Sequence, residues 1–590
     1  MTHREAVPIY KFWRAAVYTL LLLASCSKTE NKTLDSETIS GNSATTIPAP
    51  SVRFQFDDVS TASGIDSSYQ NGESTNNQSI LESLGGGTGI IDFDRDGHLD
   101  ILLPGGGTIV LEQPITGLPT TLWRNTGDWN FISCSQQAGV SHSDFYTHGV
   151  VAGDVNQDGF MDFILTGYGG LQLFINQGDG TFANQSHSSG LKDDRWSSSA
   201  AFADFNEDGL LDLYVAHYVD WSWQNHPRCQ SSDRSTSDVC GPGDFAALPD
   251  SLFIGTEEGV FRDATSKSGL VPGGKGLGVV ACHLDNTPGI DIYVANDTTN
   301  NHLYLNRGAG LFQESGLIAG VAVDGVGTPS GSMGLAIVDF NQDQLPDIWV
   351  TNYESEPFGL YQNIGKGAFL FATNRAGVNR LGELFVGFGT VAADLDLDGD
   401  DDLVVSNGHV IQHPRKSTVA QDPLLLEGTS YDFDGPANQF ERATFPLESY
   451  FGNKHRGRGL VTADFDRDGD LDLVFTHINR PPAILCNNTQ PRGRLLSLEL
   501  IGTTSNRDAI GAQVTLQTES RIASKQIVGG GSYLSQNPYT VNFTVLPDEN
   551  IKSIEIKWPS GTIQAIGNLQ PSEDATAYWN RLIVEDMGDQ

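Results

Sequence analysis

The chain has 590 residues and a formal net charge of -38 at pH 7. Such an acidic surface repels nucleic acids and anionic bilayers, and it favours cations or basic partners. Hydrophobic residues make up 38% of the chain, which excludes disorder over most of its length because disordered chains are poor in apolar side chains.

Residues 1–26 have the features of an export signal. Three basic residues precede an apolar run from Ala15 to Ala24, which is shorter than the roughly 20 residues that span a bilayer. The sequence up to Cys26 resembles a bacterial lipoprotein signal and implies that Cys26 is lipid-modified; a plain cleaved signal is the alternative. Ser27 favours the outer membrane, and the polar residues 27–50 are predicted to form a flexible tether.

A nine-residue loop recurs seven times, each time between two short apolar runs that read as buried strands. An intact copy has Asp or Asn at positions 1, 3 and 5, glycine at position 6 and Asp at position 9. Oxygen ligands at this spacing suit calcium. Five copies are intact, so Ca²⁺ is the predicted cofactor, with the ligands Asp92, Asp94, Asp96, Asp100, Asp154, Asn156, Asp158, Asp162, Asp204, Asn206, Asp208, Asp212, Asp394, Asp396, Asp398, Asp402, Asp464, Asp466, Asp468 and Asp472.

Two copies of the loop are degraded. The fourth, His283 to Asp291, has lost two acidic ligands and the turn glycine, so no calcium is predicted there. The fifth keeps its oxygens but has Gln344 where glycine would ease the sharp turn. Calcium binding by this loop is left open as weak or absent; its ligands would be Asp339, Asn341, Asp343 and Asp347.

Between the loops, a hairpin signature with an aromatic residue after a Gly-containing turn adds two strands, which makes four strands per unit. Seven units of this size are typical of propeller blades. Each aromatic-led strand precedes a loop, and none follows the seventh loop. The strand near Phe54 to Val59 is therefore predicted to complete the last blade, which removes the open sheet edge. A linear array of sheets is the alternative.

Two further features concern sites in residues 51–490, the predicted propeller. Cys229 and Cys240 lie in a polar insertion, and an exported compartment permits a disulfide between them; two unpaired thiols are the alternative. The residue five places after each loop's last Asp should lie at the opposite end of the blades from the calcium. Asn and His at these places are interpreted first as residues that start turns, and a ligand-binding arc is the alternative: His217, Asn296, Asn352, Asn407 and His477.

Residues 491–590 show alternating strands and almost no helical periodicity, which predicts a small β-sandwich. The repeated Asp-rich loops and hairpins resemble FG-GAP/VCBS repeats. Three C-terminal motifs, at 505–512, 529–536 and 554–561, resemble the UnbV/ASPIC domain of the cartilage acidic protein family. The resemblance implies an exported calcium-binding or adhesion-like protein with no established reaction. With the strand counts above, the predicted fold is all-β, a seven-bladed β-propeller with Asp-rich calcium loops followed by a small C-terminal β-sandwich.

The leading functional hypothesis is a lipoprotein of the outer membrane, facing the periplasm or the cell surface, that binds a protein or a carbohydrate and is not an enzyme. Its only membrane contact would be the lipid anchor, and nucleic acid is not expected as a partner. The alternative is a propeller enzyme of the polysaccharide lyase or quinoprotein type, with its chemistry on the polar face opposite the calcium loops.

Overall fold

The structure is a computed structural model that describes residues 53–231, 233–429, 439–567 and 581–586. The predicted signal at 1–26, its lipidated Cys26 and the tether at 27–50 lie outside the described residues. The helices within the described part are single turns, at Ser60–Ser63, Leu81–Leu84, Thr265–Ser268 and Gly316–Ala319, with 3-10 turns at Glu73–Thr75, Trp223–Asn225, Pro242–Asp244 and Leu381–Leu384. None of the helices described is long and apolar enough to cross a bilayer.

Seven antiparallel sheets follow one another along the described chain. Six have four strands, and the fourth has a fifth strand from the C-terminal domain. Within the propeller sequence each sheet is a simple up-and-down meander apart from the last. They are named sheet 1 to sheet 7 below. Sheet 1 contains Gly89–Ile91, Asp100–Leu103, Thr121–Asn125 and Phe131–Ser133; sheet 2 Tyr146–Gly153, Asp162–Tyr168, Gly170–Asn176 and Phe182–Asn184; sheet 3 Ser197–Ala203, Asp212–His217, Ser251–Ile254 and Arg262–Asp263; sheet 4 Gly276–Cys282, Asp291–Asn296, His302–Asn306 and Phe312–Glu314.

The remaining three have the same plan. Sheet 5 contains Leu335–Val338, Asp347–Val350, Gly359–Asn363 and Phe369–Phe371; sheet 6 Gly387–Ala393, Asp402–Asn407, Leu424–Thr429 and Gln439–Arg442; sheet 7 Gly457–Ala463, Asp472–His477, Arg480–Asn487 and the N-terminal strand Phe56–Asp58. Two small ribbons decorate them, Gly107–Thr108 with Thr116–Gly117, and Cys229–Gln230 with Ser237–Asp238.

The sheets form a closed ring. The first strand of each sheet contacts the first strand of the next, from sheet 1 round to sheet 7. Sheet 7 returns to sheet 1 through one hydrophobic cluster that contains Ile90 and Ile101 together with Val461 and Val474. The predicted all-β propeller architecture is confirmed, and the alternative of a linear array is not what the chain adopts.

The predicted role of the N-terminal strand is also confirmed. Phe56–Asp58 pairs antiparallel with Arg480–Asn487, with Phe56 opposite Asn487. The last sheet is therefore built from both ends of the propeller sequence, so the ring is closed by backbone hydrogen bonds and leaves no gap between a first and a last blade.

The C-terminal residues form two sheets whose buried sides share one core. Leu498 and Phe543 from one sheet pack with Val514, Ile556 and Trp558 in the same cluster, which is the arrangement of the predicted β-sandwich. The first sheet contains Arg494–Ile501, Thr540–Val545 and Arg581–Glu585, and the second Gln513–Thr518, Ile522–Gln526, Ile551–Lys557 and Ile563–Gly567.

One segment of the C-terminal domain leaves the sandwich and enters the ring. Residues 529–536, called the core segment here, begin with Gly529 and Gly530, which pair with the first strand of sheet 4. A Cβ on Gly529 would lie 1.9 Å from the carbonyl oxygen of Phe202, so only glycine allows this approach. The sequence marked this stretch as a family motif but did not reveal its position.

The core segment then touches the innermost strands of the other six sheets. Ser532 bridges to Leu335 of sheet 5, accepts a hydrogen bond from the Thr390 backbone of sheet 6 and donates one to the Leu460 carbonyl of sheet 7. The Leu534 backbone bonds to sheets 2 and 3, and the Gln536 carbonyl accepts from the backbone N–H of Ile90 in sheet 1. A segment in contact with all seven inner strands occupies the axis of the ring.

Tyr533 is the anchor of the core segment. Its side chain is fully buried, its hydroxyl donates to the Leu84 carbonyl at 3.1 Å, and its ring meets Phe388 edge-on at 4.9 Å between centroids. A buried aromatic side chain whose hydroxyl is hydrogen-bonded stabilises a core through the apolar area that it buries and through its edge-on contact with another ring. The axis of this propeller is therefore a packed core.

We expect Tyr533→Ala to lower the free energy of unfolding by about 3–5 kcal/mol, because it leaves a cavity on the axis. Tyr533→Phe is the matched control and should cost about 1 kcal/mol, since it removes one hydrogen bond and keeps the ring. Denaturant unfolding of the three proteins measures both values. An alanine variant as stable as the parent would contradict a packed axis.

Candidate metal centres and the opposite face

The Asp-rich loops hold their carboxylates in place with their own backbone N–H groups. In the second loop, Asp154 accepts from the N–H of Asp158 at 3.0 Å and from that of Gly159 at 2.7 Å. Asp158 in turn accepts from the N–H of Phe160 at 2.9 Å. The turn requires a left-handed residue at position 6, where Gly159 has φ 91°, which glycine adopts without strain.

The aspartate at position 9 has a different role from the other acidic residues. Asp162 accepts from the N–H of Val155 at 3.1 Å with one oxygen and from that of Asn176 at 2.7 Å with the other. It thereby joins the start of its loop to the third strand of its sheet. The same pair of hydrogen bonds recurs in all seven loops, at Asp100, Asp212, Asp291, Asp347, Asp402 and Asp472.

Sequence reasoning treated position 9 only as a ligand, although a signal for its structural role was present. The degraded fourth loop has lost two of its other acidic residues and still keeps Asp291. Asp291 is fully buried, and burial raises its pKa to about 7 even though backbone N–H groups oppose that shift. Asp291 is present although the loop has lost other metal ligands, which indicates that the aspartate at position 9 has a structural role.

An asparagine in the hairpin turn links neighbouring sheets. Asn176 of sheet 2 donates from Nδ2 to the carbonyl of Phe93 at 2.8 Å, inside the loop of sheet 1. Asn125 of sheet 1 reaches Phe465 in the loop of sheet 7 at 3.2 Å in the same way, so the linkage passes across the closure of the ring. The other members are Asn306, Asn363 and Asn487, which reach Phe205, Leu284 and Leu395.

Three of the predicted loops bring carboxylate oxygens close enough to share one cation. The oxygens within 4.8 Å of one another belong to Asp92, Asp94 and Asp96, to Asp394, Asp396 and Asp402, and to Asp464, Asp466 and Asp472. In the second and third loops Asn156 and Asn206 contribute amide oxygens at position 3. Hard oxygen donors of this kind fit Ca²⁺.

The buried oxygens also fit a cation. Asp464 Oδ2 accepts from the N–H of Gly469 at 3.2 Å, while its Oδ1 is buried without a hydrogen-bond partner among the described residues. Burial and the neighbouring Asp468 and Asp466 raise the pKa of Asp464 to about 7. A buried acceptor that lacks a donor is costly unless a cation or proton meets it.

The fifth loop keeps the geometry of the intact ones. Gln344 has φ 68°, and its N–H donates to Asp339 at 2.7 Å as glycine does in the second loop. The N–H of Asp343 donates to the other oxygen of Asp339 at 3.0 Å. The sharp turn therefore forms without glycine, at a cost of roughly 1–2 kcal/mol for a left-handed L-residue.

Arginines balance part of the loop charge. In the degraded fourth loop, Arg307 lies 3.4 Å from Asp285. Arg124 also reaches the first loop, at 2.5 Å from Asp94 and 2.7 Å from Asp96. Arg53 pairs with Asp396 and Asp398 of the sixth loop, and Arg492 reaches Asp398 at 3.0 Å.

The C-terminal domain rests on the loop face. Lys525 pairs with Asp401 at 2.7 Å beside the sixth loop, and Arg521 donates to the Gly399 carbonyl at 2.9 Å. The hydroxyl of Thr544 donates to Asp394 at 2.5 Å. On the second loop, the N–H of Asp154 donates to Asp508 at 2.8 Å. The loops are thus part of the contact between the two domains.

The structure does not place the predicted ligand-binding arc on the surface. His217, Asn296, Asn352, Asn407 and His477 are all buried. The asparagines bond to the chain that follows them: Asn352 donates to the Pro357 carbonyl at 2.6 Å, and Asn407 to that of Asp422 at 2.9 Å. The alternative of an accessible arc is wrong, because these side chains are buried and bonded to neighbouring parts of the chain, although His477 also lines a cavity at the closure of the ring.

His217 contacts a buried carboxylate. Its Nε2 lies 2.9 Å from Asp193, whose carboxylate also pairs with Arg195 at 2.6 Å. Burial alone would raise the pKa of Asp193, but the hydrogen bonds and charges of His217 and Arg195 hold that pKa well below its usual range. The side chains of His217 and Asp193 have no exposed surface, so they cannot meet a substrate.

The polar insertion of sheet 3 contains the Cys229–Cys240 disulfide, with a Cα–Cα distance of 5.2 Å. Next to it, Trp221 packs edge-on against Trp223 at 5.3 Å and against Tyr168 at 5.4 Å. Cys134, Cys282 and Cys486 are free. The insertion therefore belongs to the apolar cluster on the face opposite the metal loops.

Comparison with known proteins identifies both parts of the chain. The ASPIC and UnbV family model matches residues 502–577. The FG-GAP-like repeat model matches residues 92–165, 154–215, 283–350 and 339–405. Each of these matches covers two consecutive Asp-rich loops and the strands between them.

The similar curated proteins are cartilage acidic proteins. Cartilage acidic protein 1 of Homo sapiens is 27% identical over 318 residues, which cover 51% of this chain and 43% of that protein. The protein of the same name from Xenopus tropicalis is 24% identical over 473 residues, which cover 70% of this chain and 71% of that protein. The chain thus spans less than half the length of the human relative.

Two solved lectin structures are among the similar folds. The BP39L lectin from Burkholderia pseudomallei has a TM-score of 0.37 at 10% identity and covers 68% of this chain and 97% of that one. The N-acetylglucosamine-recognising lectin of Agrocybe aegerita has a TM-score of 0.36 at 15% identity and covers 60% of this chain and 79% of that one.

The metal-free protein should lose stability as the pH rises from about 4 to about 8. Burial raises the pKa of Asp100 and Asp162 to about 8 in the folded state, against about 3.9 in an unfolded chain. The folded state then binds more protons over that window, so stability falls with rising pH. Thermal unfolding at stepped pH measures the slope. Asp100→Asn removes one titrating group and should flatten it; an unchanged slope would contradict this origin.

Proposed function

We propose, from the premise that the chain carries FG-GAP-like repeats and a C-terminal UnbV/ASPIC domain and is homologous to cartilage acidic protein 1, that it is an exported, calcium-stabilised binding module. Its partner is a protein or a carbohydrate, and it catalyses no reaction. The observation that carries the proposal is the core segment, which joins the ring and the C-terminal domain into one compact unit with a packed axis.

Calcium in this proposal is a structural ion. The first, second, third, sixth and seventh loops would hold it through the acidic and amide oxygens at positions 1, 3 and 5, and the fifth loop joins them because its backbone keeps the same hydrogen bonds. Bound calcium would cancel the repulsion among these carboxylates. At 1 mM calcium and a dissociation constant of about 10⁻⁴ M, each site would add about 1.4 kcal/mol of stability.

The absence of catalysis is supported by where the reactive groups lie. Ser197 Oγ is 3.4 Å from His217 Nε2, which in turn meets Asp193, so a hydroxyl, an imidazole and a carboxylate are adjacent. Ser197 and His217 have no exposed surface. A nucleophile and a base need contact with substrate, and this set is sealed inside sheet 3. This arrangement favours a binding module over a lyase or a quinoprotein.

Anchoring at the outer membrane through a lipid on Cys26 completes the proposal. It is supported by the apolar run and the small residues before Cys26, and the Cys229–Cys240 disulfide suits an oxidising compartment. The tether at 27–50 would give the propeller reach from the membrane surface.

Glycan and protein arrays, probed with the lipid-free protein at 1 mM calcium and again in chelator, test the binding role. We expect specific capture with calcium and its loss in chelator, together with a lower melting temperature in chelator. Asp464→Asn with Asp468→Asn should reduce the capture and the rise in melting temperature that calcium causes. Asp285→Asn in the fourth loop, where no calcium is predicted, is the control and should leave both effects of calcium unchanged. Capture of no array component, or identical melting with and without calcium, would overturn the proposal.

Cys26→Ser should release the protein from the membrane fraction. A lipid anchor needs the cysteine thiol, whereas a plain cleaved signal does not. Fractionation of cells into soluble and outer-membrane proteins, followed by immunoblotting, measures the distribution. Ser25→Ala, which keeps a small residue before the cysteine, is the matched control and should stay membrane-bound. Equal membrane retention of the Cys26→Ser protein would contradict lipidation.

A further inference from the structure

A cavity of about 280 Å³ lies at the closure of the ring, on the face opposite the metal loops. The turn that follows Asp472–His477 in sheet 7 forms one side, and residues Pro104 and Gly105 after the second strand of sheet 1 form another. Residues Ser67–Gln70, which lead the chain from sheet 7 to sheet 1, complete it. The site exists because the N-terminal segment must cross between these two sheets.

Most of the cavity wall is apolar. Leu103, Pro104, Leu118, Pro119 and Pro482 line it. Proline and leucine walls favour the apolar faces of a ring or of a branched hydrocarbon, and they give no hydrogen bonds in return. At about 280 Å³ the volume is close to the lower end of small-molecule sites, roughly 300 Å³. It suits a compound of about monosaccharide size.

Arg480 is the one charged residue of the lining. Its side chain is exposed, and no carboxylate of the described chain lies within ion-pair distance of it. Other arginines of the described chain also lack a carboxylate partner, but Arg480 is the one that lines this cavity. Its planar guanidinium binds a carboxylate with two parallel hydrogen bonds. Charges elsewhere on the surface are screened beyond roughly 8 Å at physiological salt.

The neighbouring histidine does not compete for such a ligand. His477 donates from Nδ1 to the Pro481 carbonyl at 2.9 Å and accepts from the Tyr450 hydroxyl at Nε2, also at 2.9 Å. Burial lowers the pKa of His477 to about 4, so the ring is neutral and both nitrogens are occupied. The positive charge of the cavity therefore belongs to Arg480.

Ser67 supplies a second donor. Its Oγ accepts from the Thr121 hydroxyl at 3.1 Å and from the indole N–H of Trp123 at 3.0 Å. Indole is a donor only, and it also donates to Thr121 at 3.2 Å. The hydrogens of this small network therefore point towards Ser67, whose own hydroxyl hydrogen has no acceptor in the described part of the chain. It can be given to an oxygen in the cavity.

We propose that this cavity binds a compact organic acid. One carboxylate meets Arg480 in a bidentate pair and accepts from Ser67, while the body of the ligand lies against Pro104, Pro119 and Pro482. An aromatic acid and a uronic acid share this chemistry. The proposal is independent of the calcium role above, because the cavity contains no loop ligand. A uronic acid ligand would be one form of the carbohydrate partner proposed above.

Isothermal titration of the calcium-loaded protein tests it with two matched pairs, phenylacetate against phenylacetamide and glucuronate against glucose. We expect at least one acid to bind about tenfold or more tightly than its neutral partner, and the pair that responds identifies the aromatic or the sugar body. Arg480→Gln should weaken that acid about tenfold and remove the preference. Ser67→Ala should weaken it about threefold.

Arg262→Gln is the matched control, because Arg262 is an exposed arginine on the short outer strand of sheet 3, away from the cavity. It should leave acid binding unchanged, and equal melting temperatures of the variants exclude misfolding as the cause. Absence of binding by both acids, equal binding of acids and neutral partners, or unchanged binding by the Arg480→Gln protein would each overturn the proposal. None of these results bears on the calcium-dependent capture tested on the arrays.

Discussion

In each of the seven loops a buried aspartate accepts one backbone N–H from its own loop and another from the third strand of its sheet. These bonds hold the strands of a sheet at their loop ends, and the hairpin asparagines extend the hold to the neighbouring sheet. A buried, ionised carboxylate without a partner costs much more free energy than one that is paired. The ring is therefore most stable when a cation or a proton neutralises the acidic residues beside these aspartates. The acidic residues of the loops thus also help to hold the ring together.

Local spacing was enough to predict the loops and the hairpins, because each of these depends on residues near one another in sequence. The strand that closes the ring pairs residues far apart in sequence, and it was predictable because the aromatic-led strands could be counted along the whole chain. The end of the blade at which Asn352 and Asn407 lie was predictable from strand length. Their burial was not, because the loops that cover them are set by tertiary packing. Gln344 adopts a glycine-like φ since the surrounding hydrogen bonds outweigh the local strain. The unpaired Arg480 could not be recognised from sequence, because pairing is a property of the fold.

The position of the core segment lay beyond any local pattern. Residues 529–536 carry three glycines and an aromatic residue, a composition equally typical of an exposed turn. Only the folded chain shows that these glycines allow contact with sheet 4 and that Tyr533 fills the axis. The segment makes the C-terminal domain part of the propeller core, and Lys525, Arg521 and Thr544 add contacts to the sixth loop. The packing of every sheet therefore depends on that domain.

The pairing of Phe56–Asp58 with Arg480–Asn487, and the entry of residues 529–536 into the axis, also dictate an order of assembly. The last sheet cannot form until residue 487 has been synthesised, and the axis is filled only after residue 536 is available. Contacts this distant in sequence slow folding because loop closure must precede them. The sheets in the middle of the chain pair strands that are close in sequence and can form earlier, but the ring is complete only once residues up to 536 are available.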